Sequence, residues 1–469
     1  MWLYMIAVLG YFGVLAAIAV WRSRVETRTA TGDDFLIAGR SLPAYVLSFT
    51  MLSTWIGSGS LFGGAGLGYR IGVAALWQSA GAWVGIALVF FIVPRVRRLA
   101  QYTVPDILDL RYGAPARIAA TITIVLGYTA IAAYQFRGGG RLLNLAAGID
   151  ANVGAILTAA FCVFVTALGG MRSVARLDVV NAVTMVAGFA VALIYLLGAA
   201  GGAAGASASL RADQLTMFGS LSPREAAGLF LPTLCLLLGD ASMYQKFSSA
   251  RDEPTARLGV AGWIIATIVV ETLIIAVAAL GSLTAPGLSV ADSEGIVVRI
   301  AVGVLPMLLG ALLLAAAAAI VVSTANSMLL APASNLVRDL YQRFVNRTAG
   351  DRQIVLLMRV AIAGLGLAGL LAGILFPTVL AMALWVYSMY GAGITPALLA
   401  ALLWPRVTRE AGLYSIAAGM AVTLLLELVA AARGSVAAPA YLLGVQTIYP
   451  ALAASVGTLV GVTLRSARL

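Results

Sequence analysis

Ser323, Thr324, Asn326 and Ser327 put four side-chain oxygens within five residues of a stretch otherwise made almost wholly of Ala, Leu and Val. An isolated Ser or Thr in a helix commonly bonds back to the carbonyl four residues earlier and signals nothing more. Four together suggest cation chemistry. Na+ is a hard cation that takes several neutral or singly charged oxygens, and a hydroxyl pair facing freed backbone carbonyls supplies them. Such carbonyls are expected in Ser53-Thr54-Trp55-Ile56-Gly57-Ser58-Gly59-Ser60, which with Gly63, Gly64, Gly66 and Gly68 makes a poor continuous helix. A second interruption falls in 226–239, fourteen uncharged residues with Pro232 inside and Gly239-Asp240 at the end. Glycine-rich helices also serve simply to pack closely, which is the competing explanation for both breaks.

Four carboxylates lie in apolar stretches: Asp178, Asp240, Glu271 and Glu427. At membrane depth a carboxylate is costly enough to be a functional candidate by default. Asp178 has a second explanation, an ion pair with Arg172 or Arg176 at the interface. Asp240 coincides with a helix break, which favours function. Glu271 and Glu427 lack such context and read as helix-packing or cavity residues. The chain has no His and two Cys, so zinc, thiol and imidazole sites have little to be built from. Without His, no nucleophile and base of an integral membrane enzyme can be assembled from the scattered acids.

The elements that position these residues are transmembrane helices. Of 469 residues, 61% are hydrophobic and 10% charged, with a mean hydropathy of +0.99, which excludes an ordinary soluble enzyme. A bilayer core about 30 Å thick needs roughly 20 apolar residues per helix. Charges and Gly/Pro clusters then delimit thirteen spans, near 3–21, 44–69, 72–93, 118–140, 151–169, 177–199, 226–246, 258–282, 303–331, 354–375, 378–404, 411–432 and 441–464. The fold class is all-α integral membrane. The two interrupted spans are the second and the seventh, five apart, which fits two five-helix inverted repeats with a site at the breaks.

Basic residues collect on alternate loops: Arg22 to Arg40, Arg95 to Arg117, Arg172 and Arg176, Lys246 to Arg257, Arg338 to Arg352, Arg406 and Arg409, and Arg465 and Arg468. These are twenty-two of the thirty Lys and Arg residues. By the positive-inside rule, the N-terminus is outside and the C-terminus cytoplasmic, in the inner (plasma) membrane of the cell. The same asymmetry accounts for the net charge of +11. It makes the bilayer's anionic headgroups the partner of those loops, with no nucleic acid needed. The first span lacks a preceding positive residue and reads as a retained helix rather than a cleaved signal peptide. No soluble domain is expected at either end. The outer loop around 200–224 is small-residue and polar, the stretch 284–300 reads as an amphipathic or irregular surface segment, and neither reads as a ligand-binding module.

Four stretches, Phe35–Leu42 (FLIAGRSL), Gly169–Asp178 (GGMRSVARLD), Gly239–Arg257 (GDASMYQKFSSARDEPTAR) and Ser323–Tyr341 (STANSMLLAPASNLVRDLY), resemble the sodium:solute symporter family in order and spacing over nearly the whole chain. The resemblance implies the five-plus-five inverted-repeat fold of the leucine transporter, with an extra N-terminal helix and two C-terminal helices. The segments would be 1–40, 41–200 for the first repeat, 224–404 for the second, and 405–469. It implies Na+ as coupling ion, held by the carbonyls of Ser53, Ile56 and Ile320 and the hydroxyls of Ser323 and Thr324. Some members hold a second sodium, for which Asp178, Ser323 and Ser327 fit, while Asn326 stands where a hydroxyl is expected. The small-molecule substrate would lie between the broken helices, nearest Trp55, Ser58, Gln78, Asp240 and Tyr244, with Tyr134 and Gln135 on span four as further candidates.

Ser53–Gly59 (STWIGSG) is also similar to the corresponding stretch of choline transporters, and a Trp face is a good cation partner. Asp240, however, stands where those proteins have an aromatic residue. Tyr387 and Tyr390 would be gate or packing residues, and Arg137 and Arg141 would draw an anionic solute or snorkel. The function implied is Na+-driven uptake of a small polar organic solute by alternating access. The rivals are proton coupling through Asp178 or Asp240, and a sensor that binds solute without moving it.

Overall fold

The computed structural model describes residues 2–26, 32–99, 103–373, 379–432, 441–442 and 445–466. The expected span ends at 374–375, 378 and 443–444, with Arg28 and Arg468, lie outside the described residues. Among the described residues, eleven helical runs are long and apolar enough to cross a membrane. The first span is α1 (Trp2–Glu26), and the second is two short helices, α2 (Ala44–Trp55) and α3 (Ala65–Ile71), followed by α4 (Leu76–Leu99). A short helix, α5 (Val104–Tyr112), precedes α6 (Ala114–Ala147) and α7 (Ala151–Ala199). The seventh span is again double, α8 (Pro223–Gly239) and α9 (Ala241–Ser249). Then come α10 (Glu253–Thr284), α11 (Met307–Asn335), α12 (Asp351–Ala372), α13 (Val379–Leu403), α14 (Arg409–Ala432) and α15 (Ile448–Ser466).

The 49 residues of α7 would reach about 74 Å at 1.5 Å per residue, more than twice the hydrocarbon thickness. They are divided at Gly170, whose φ of 58° and ψ of −160° leave the helical region. A Cβ there would lie 2.7 Å from the Phe35 ring, so both the backbone turn and the close packing call for Gly. Counting α7 as two crossings, and each broken pair as one, gives the thirteen spans expected. The boundaries differ in detail. The third crossing starts at Leu76 after a 3-10 turn over Gly72–Ala75, and the fourth runs seven residues further, to Ala147. The segment 200–224 holds a helix at Gly202–Ser209, and 284–300 holds two, Val290–Ser293 and most of Ile296–Gly303. At the C-terminal end, Tyr441–Leu442 pairs antiparallel with Val445–Gln446 before α15 begins.

With lipid on the outside, helices associate through close packing rather than hydrophobic exclusion, and small residues permit it. Gly188 of α7 faces α11 so closely that a Cβ would fall 2.6 Å from that of Ala316. From Ala316 to Asn335, every residue of α11 is buried. The candidate hydroxyls therefore sit on a fully enclosed stretch of helix, against α7, α6 and α2.

Two ionic clusters tie loops to the bundle. Arg117 at the start of α6 is buried against Asp106 (2.6 Å), Asp109 (3.0 Å) and Asp339 (3.5 Å), and Thr103 adds a hydrogen bond to Asp339 at 2.9 Å. At the other end of α6, Glu294 pairs with Arg141 at 3.3 Å. The same carboxylate accepts the amides of Val379 (3.3 Å) and Leu380 (3.0 Å), capping α13. Arg141 thus anchors the segment that carries Glu294, and Arg137 donates to the Gly373 carbonyl at 2.7 Å, so both have protein acceptors beyond the roles expected for them.

Candidate cation and solute sites at the broken helices

The α2 helix ends at Trp55, and Ile56, with φ −74° and ψ 101°, turns its peptide out of the helical path. The last carbonyls of a helix have no intrahelical partner, and two of them find α11. Ser323 Oγ donates to the Ser53 carbonyl at 2.7 Å. Thr324 Oγ1 lies 3.2 Å from that carbonyl and 2.9 Å from the Ile56 carbonyl. Ser323 Oγ also lies 2.7 Å from the Ala319 carbonyl and 3.2 Å from that of Ile320. The structure therefore gathers the five expected oxygens, those of Ser53, Ile56, Ile320, Ser323 and Thr324, into one buried cluster. The set is neutral and all oxygen, which suits a hard monovalent cation. Gly57 packs tightly at the break, where a Cβ would come 2.5 Å from Gln135 Nε2 and 3.0 Å from Thr324. Gln135 Oε1 instead accepts the Ser58 amide at 2.8 Å and braces the turn.

The second group resolves differently. Asp178 is fully buried, its Oδ2 taking Thr50 Oγ1 at 2.5 Å and its carbonyl taking Ser53 Oγ at 2.8 Å, while Oδ1 has no hydrogen-bond partner. Asn326 turns toward the first limb of α7, accepting from Thr166 at 3.1 Å. Ser327 Oγ is 2.7 Å from Thr54 Oγ1, and both hydroxyls accept from the Lys246 ammonium, at 3.2 and 2.7 Å. Counting Lys246 among loop residues is corrected here: its side chain lies inside the bundle, 1% exposed, which leaves twenty-one basic residues in the loop series. Its significance was missed, although it is the sole Lys beside 29 Arg.

A cavity of about 370 Å³ opens beside the first break, lined by Trp55, Gln78, Ser79, Thr233, Glu271 and Tyr387 among others. Of the expected solute residues, Trp55 and Gln78 line it, while Ser58, Asp240 and Tyr244 do not. Asp240 is the N-cap of α9. Its Oδ1 takes the amides of Ser242 (2.9 Å) and Met243 (3.2 Å), the Ser242 hydroxyl (2.6 Å) and the Tyr128 hydroxyl (2.5 Å). Tyr244 donates to the Leu238 carbonyl at 2.9 Å. Tyr390 spans the same break, donating to the Gly239 carbonyl and accepting the Ala241 amide, both at 2.9 Å. Tyr387 reaches the cavity, its hydroxyl 3.4 Å from that of Tyr134. Glu271 stands in the cavity wall, where Oε1 accepts Trp55 Nε1 at 3.1 Å and Oε2 accepts Trp83 Nε1 at 2.7 Å. Glu427 lines a separate cavity of about 300 Å³ with Gln446 and Thr447.

Two broken helices crossing beside a buried oxygen cluster define a secondary transporter of the inverted-repeat class. The chain belongs to the Sodium:solute symporter family, whose profile matches residues 35–419. It is a Na+-coupled symporter of small solutes rather than an enzyme. Among its relatives, the high-affinity proline transporter PutP of Bacillus subtilis (strain 168) is 26% identical over 414 residues, 85% of this chain and 87% of the relative. The sodium/pantothenate symporter of Escherichia coli (strain K12) is 27% identical over 348 residues, 71% of each chain. The fold is shared with a substrate-bound, outward-open Na+-coupled sialic acid symporter, with a TM-score of 0.81 at 16% identity, covering 99% of this chain and 98% of that one. It is also shared with Mhp1, a nucleobase-cation-symport-1 family transporter, at a TM-score of 0.61 and 14% identity, covering 92% and 94%.

Proposed function

We propose that this multi-pass membrane protein takes up a small solute carrying a cationic nitrogen, an amino acid or quaternary amine, together with Na+ held by Ser53, Ile56, Ile320, Ser323 and Thr324. The observation that carries the solute class is Glu271, the sole charged residue among those described that line the 370 Å³ cavity. Its two oxygens already hold two indole N–H groups in place, so the carboxylate is oriented, and a cationic nitrogen supplies the missing countercharge. Trp55, fixed by the same carboxylate, offers a ring face to that cation. The proline named for the Bacillus relative has such a nitrogen.

In this reading the repeats occupy 41–200 and 224–404, with residues 1–40 and 405–469 outside them. The membrane is the plasma membrane. With the twenty-one remaining loop Lys/Arg residues on the cytoplasmic side, the N-terminus faces outward and the C-terminus inward. Na+ joins the α2 break to α11 and stabilises the outward-open arrangement. Solute beside Trp55 and Glu271 then lets the repeats close over it. One charge entering down 100 mV contributes about 2.3 kcal/mol, and a tenfold Na+ gradient about 1.4 kcal/mol. The total of about 3.7 kcal/mol supports accumulation of a few hundred-fold for a solute without net charge.

Thermal unfolding of the purified protein in detergent tests this, with Na+ exchanged for K+ across amino acids, betaines, carboxylates and sugars. A ligand of the folded state raises the melting temperature by mass action. The expected result is stabilisation by one amine-bearing compound in Na+ alone. Stabilisation by a carboxylate or sugar without a nitrogen cation contradicts the solute class.

A further inference from the structure

Lys246 sits on α9, in the second half of the broken seventh span, where two other membrane helices meet its ammonium. Thr54 of α2 and Ser327 of α11 accept from it at 2.7 and 3.2 Å. One turn back along α2, Thr50 holds Asp178 of α7 at 2.5 Å. The remaining carboxylate oxygen of Asp178 is buried without a partner, and the carboxylates of Asp178 and Asp240 act on the ammonium electrostatically. A lone ammonium buried in a protein is costly unless it is paired and hydrogen-bonded. Here a chain that uses Arg at its 29 other basic positions places its one compact point charge on two neutral hydroxyls, with the carboxylates of Asp178 and Asp240 acting on it from further off. That is the environment of a bound alkali cation.

We infer that Lys246 is a tethered cation of the coupling machinery: its ammonium takes the place of a second Na+ among Asp178, Thr54 and Ser327, so that one Na+ accompanies each solute. The inference rests on the sodium reading of Ser53, Ile56, Ile320, Ser323 and Thr324. An ammonium and a Na+ carry the same charge, and hydroxyl oxygens offer lone pairs to either. Two such charges in one hydrogen-bonded cluster repel, so the tethered one excludes the mobile one. Because it cannot leave, Lys246 draws nothing from the Na+ gradient, yet it holds α9 to α2 and α11 as an ion would.

The test is the number of Na+ bound per chain, read with radioactive Na+ on the purified protein in detergent. Wild type is expected to saturate at about one Na+ with a Hill coefficient of about 1, and Lys246→Met at about two with a coefficient moving toward about 2. Adding Asp178→Asn to Lys246→Met returns the count to about one by removing the new site's charge. Two Na+ on wild type, or one on a folded Lys246→Met protein, overturns the inference. If Lys246→Met does not fold, Lys246→Gln, which keeps a hydrogen-bond donor, is read in its place. The Ser323→Ala/Thr324→Ala protein separates the two readings. If it binds as many Na+ as wild type, the first sodium site is wrong, whereas the Lys246 inference stands or falls on the difference between wild type and Lys246→Met.

Discussion

Replacing Ser323 and Thr324 together by Ala removes the Na+ response of solute binding. The two hydroxyls are the side-chain part of the oxygen cluster, and they meet the Ser53 and Ile56 carbonyls at 2.7 to 3.2 Å. A polar contact to a charged partner contributes about 1.5–3 kcal/mol, so losing two weakens Na+ binding at least about a hundredfold. The three carbonyls remain and cannot complete the shell alone. The fold should survive, because the substitutions remove hydroxyls from α11 without adding bulk. The check is a Na+ titration of the melting temperature alongside the melting temperature in K+. A Na+ midpoint within threefold of wild type would show that Na+ binds elsewhere.

The second large effect is at Glu271. Glu271→Gln keeps the shape and one acceptor for the indole groups of Trp55 and Trp83, but it takes away the charge that a cationic solute would meet. A charge-assisted contact is about twice as strong as a neutral one, so solute affinity should fall about 10- to 100-fold. The Na+ midpoint measured without solute should stay where it was, because the oxygen cluster does not include Glu271. Solute affinity that survives the substitution would move the cationic group of the ligand, or the ligand itself, out of this cavity.

The crossings and the first break were legible because their causes are local. A run such as Ser53–Ser60 cannot continue a helix well, and the α11 hydroxyls stand out against Ala and Leu. Asp240 carries a second local signal. Asp-Ala-Ser after Gly239 carries an N-cap signal, and the structure uses the carboxylate that way, with Tyr128 as a further donor. Glu271 and Lys246 were opaque because their partners are distant in sequence. Trp55 and Trp83 lie 216 and 188 residues from Glu271, and Thr54 lies 192 residues from Lys246. Periodicity and charge counting see neither. A basic residue five positions before Arg251 reads as part of a loop until the packing of α9 against α2 and α11 is known.

Uptake into proteoliposomes separates Na+-driven accumulation of an amine-bearing solute from its rivals. Vesicles loaded with K+ are diluted into Na+ medium containing labelled proline, glycine betaine or choline, with pH equal on both sides. At least one of the three should be concentrated above its external level and run out again when a Na+ ionophore collapses the gradient. Accumulation that ignores Na+ and follows an imposed pH gradient instead would contradict it.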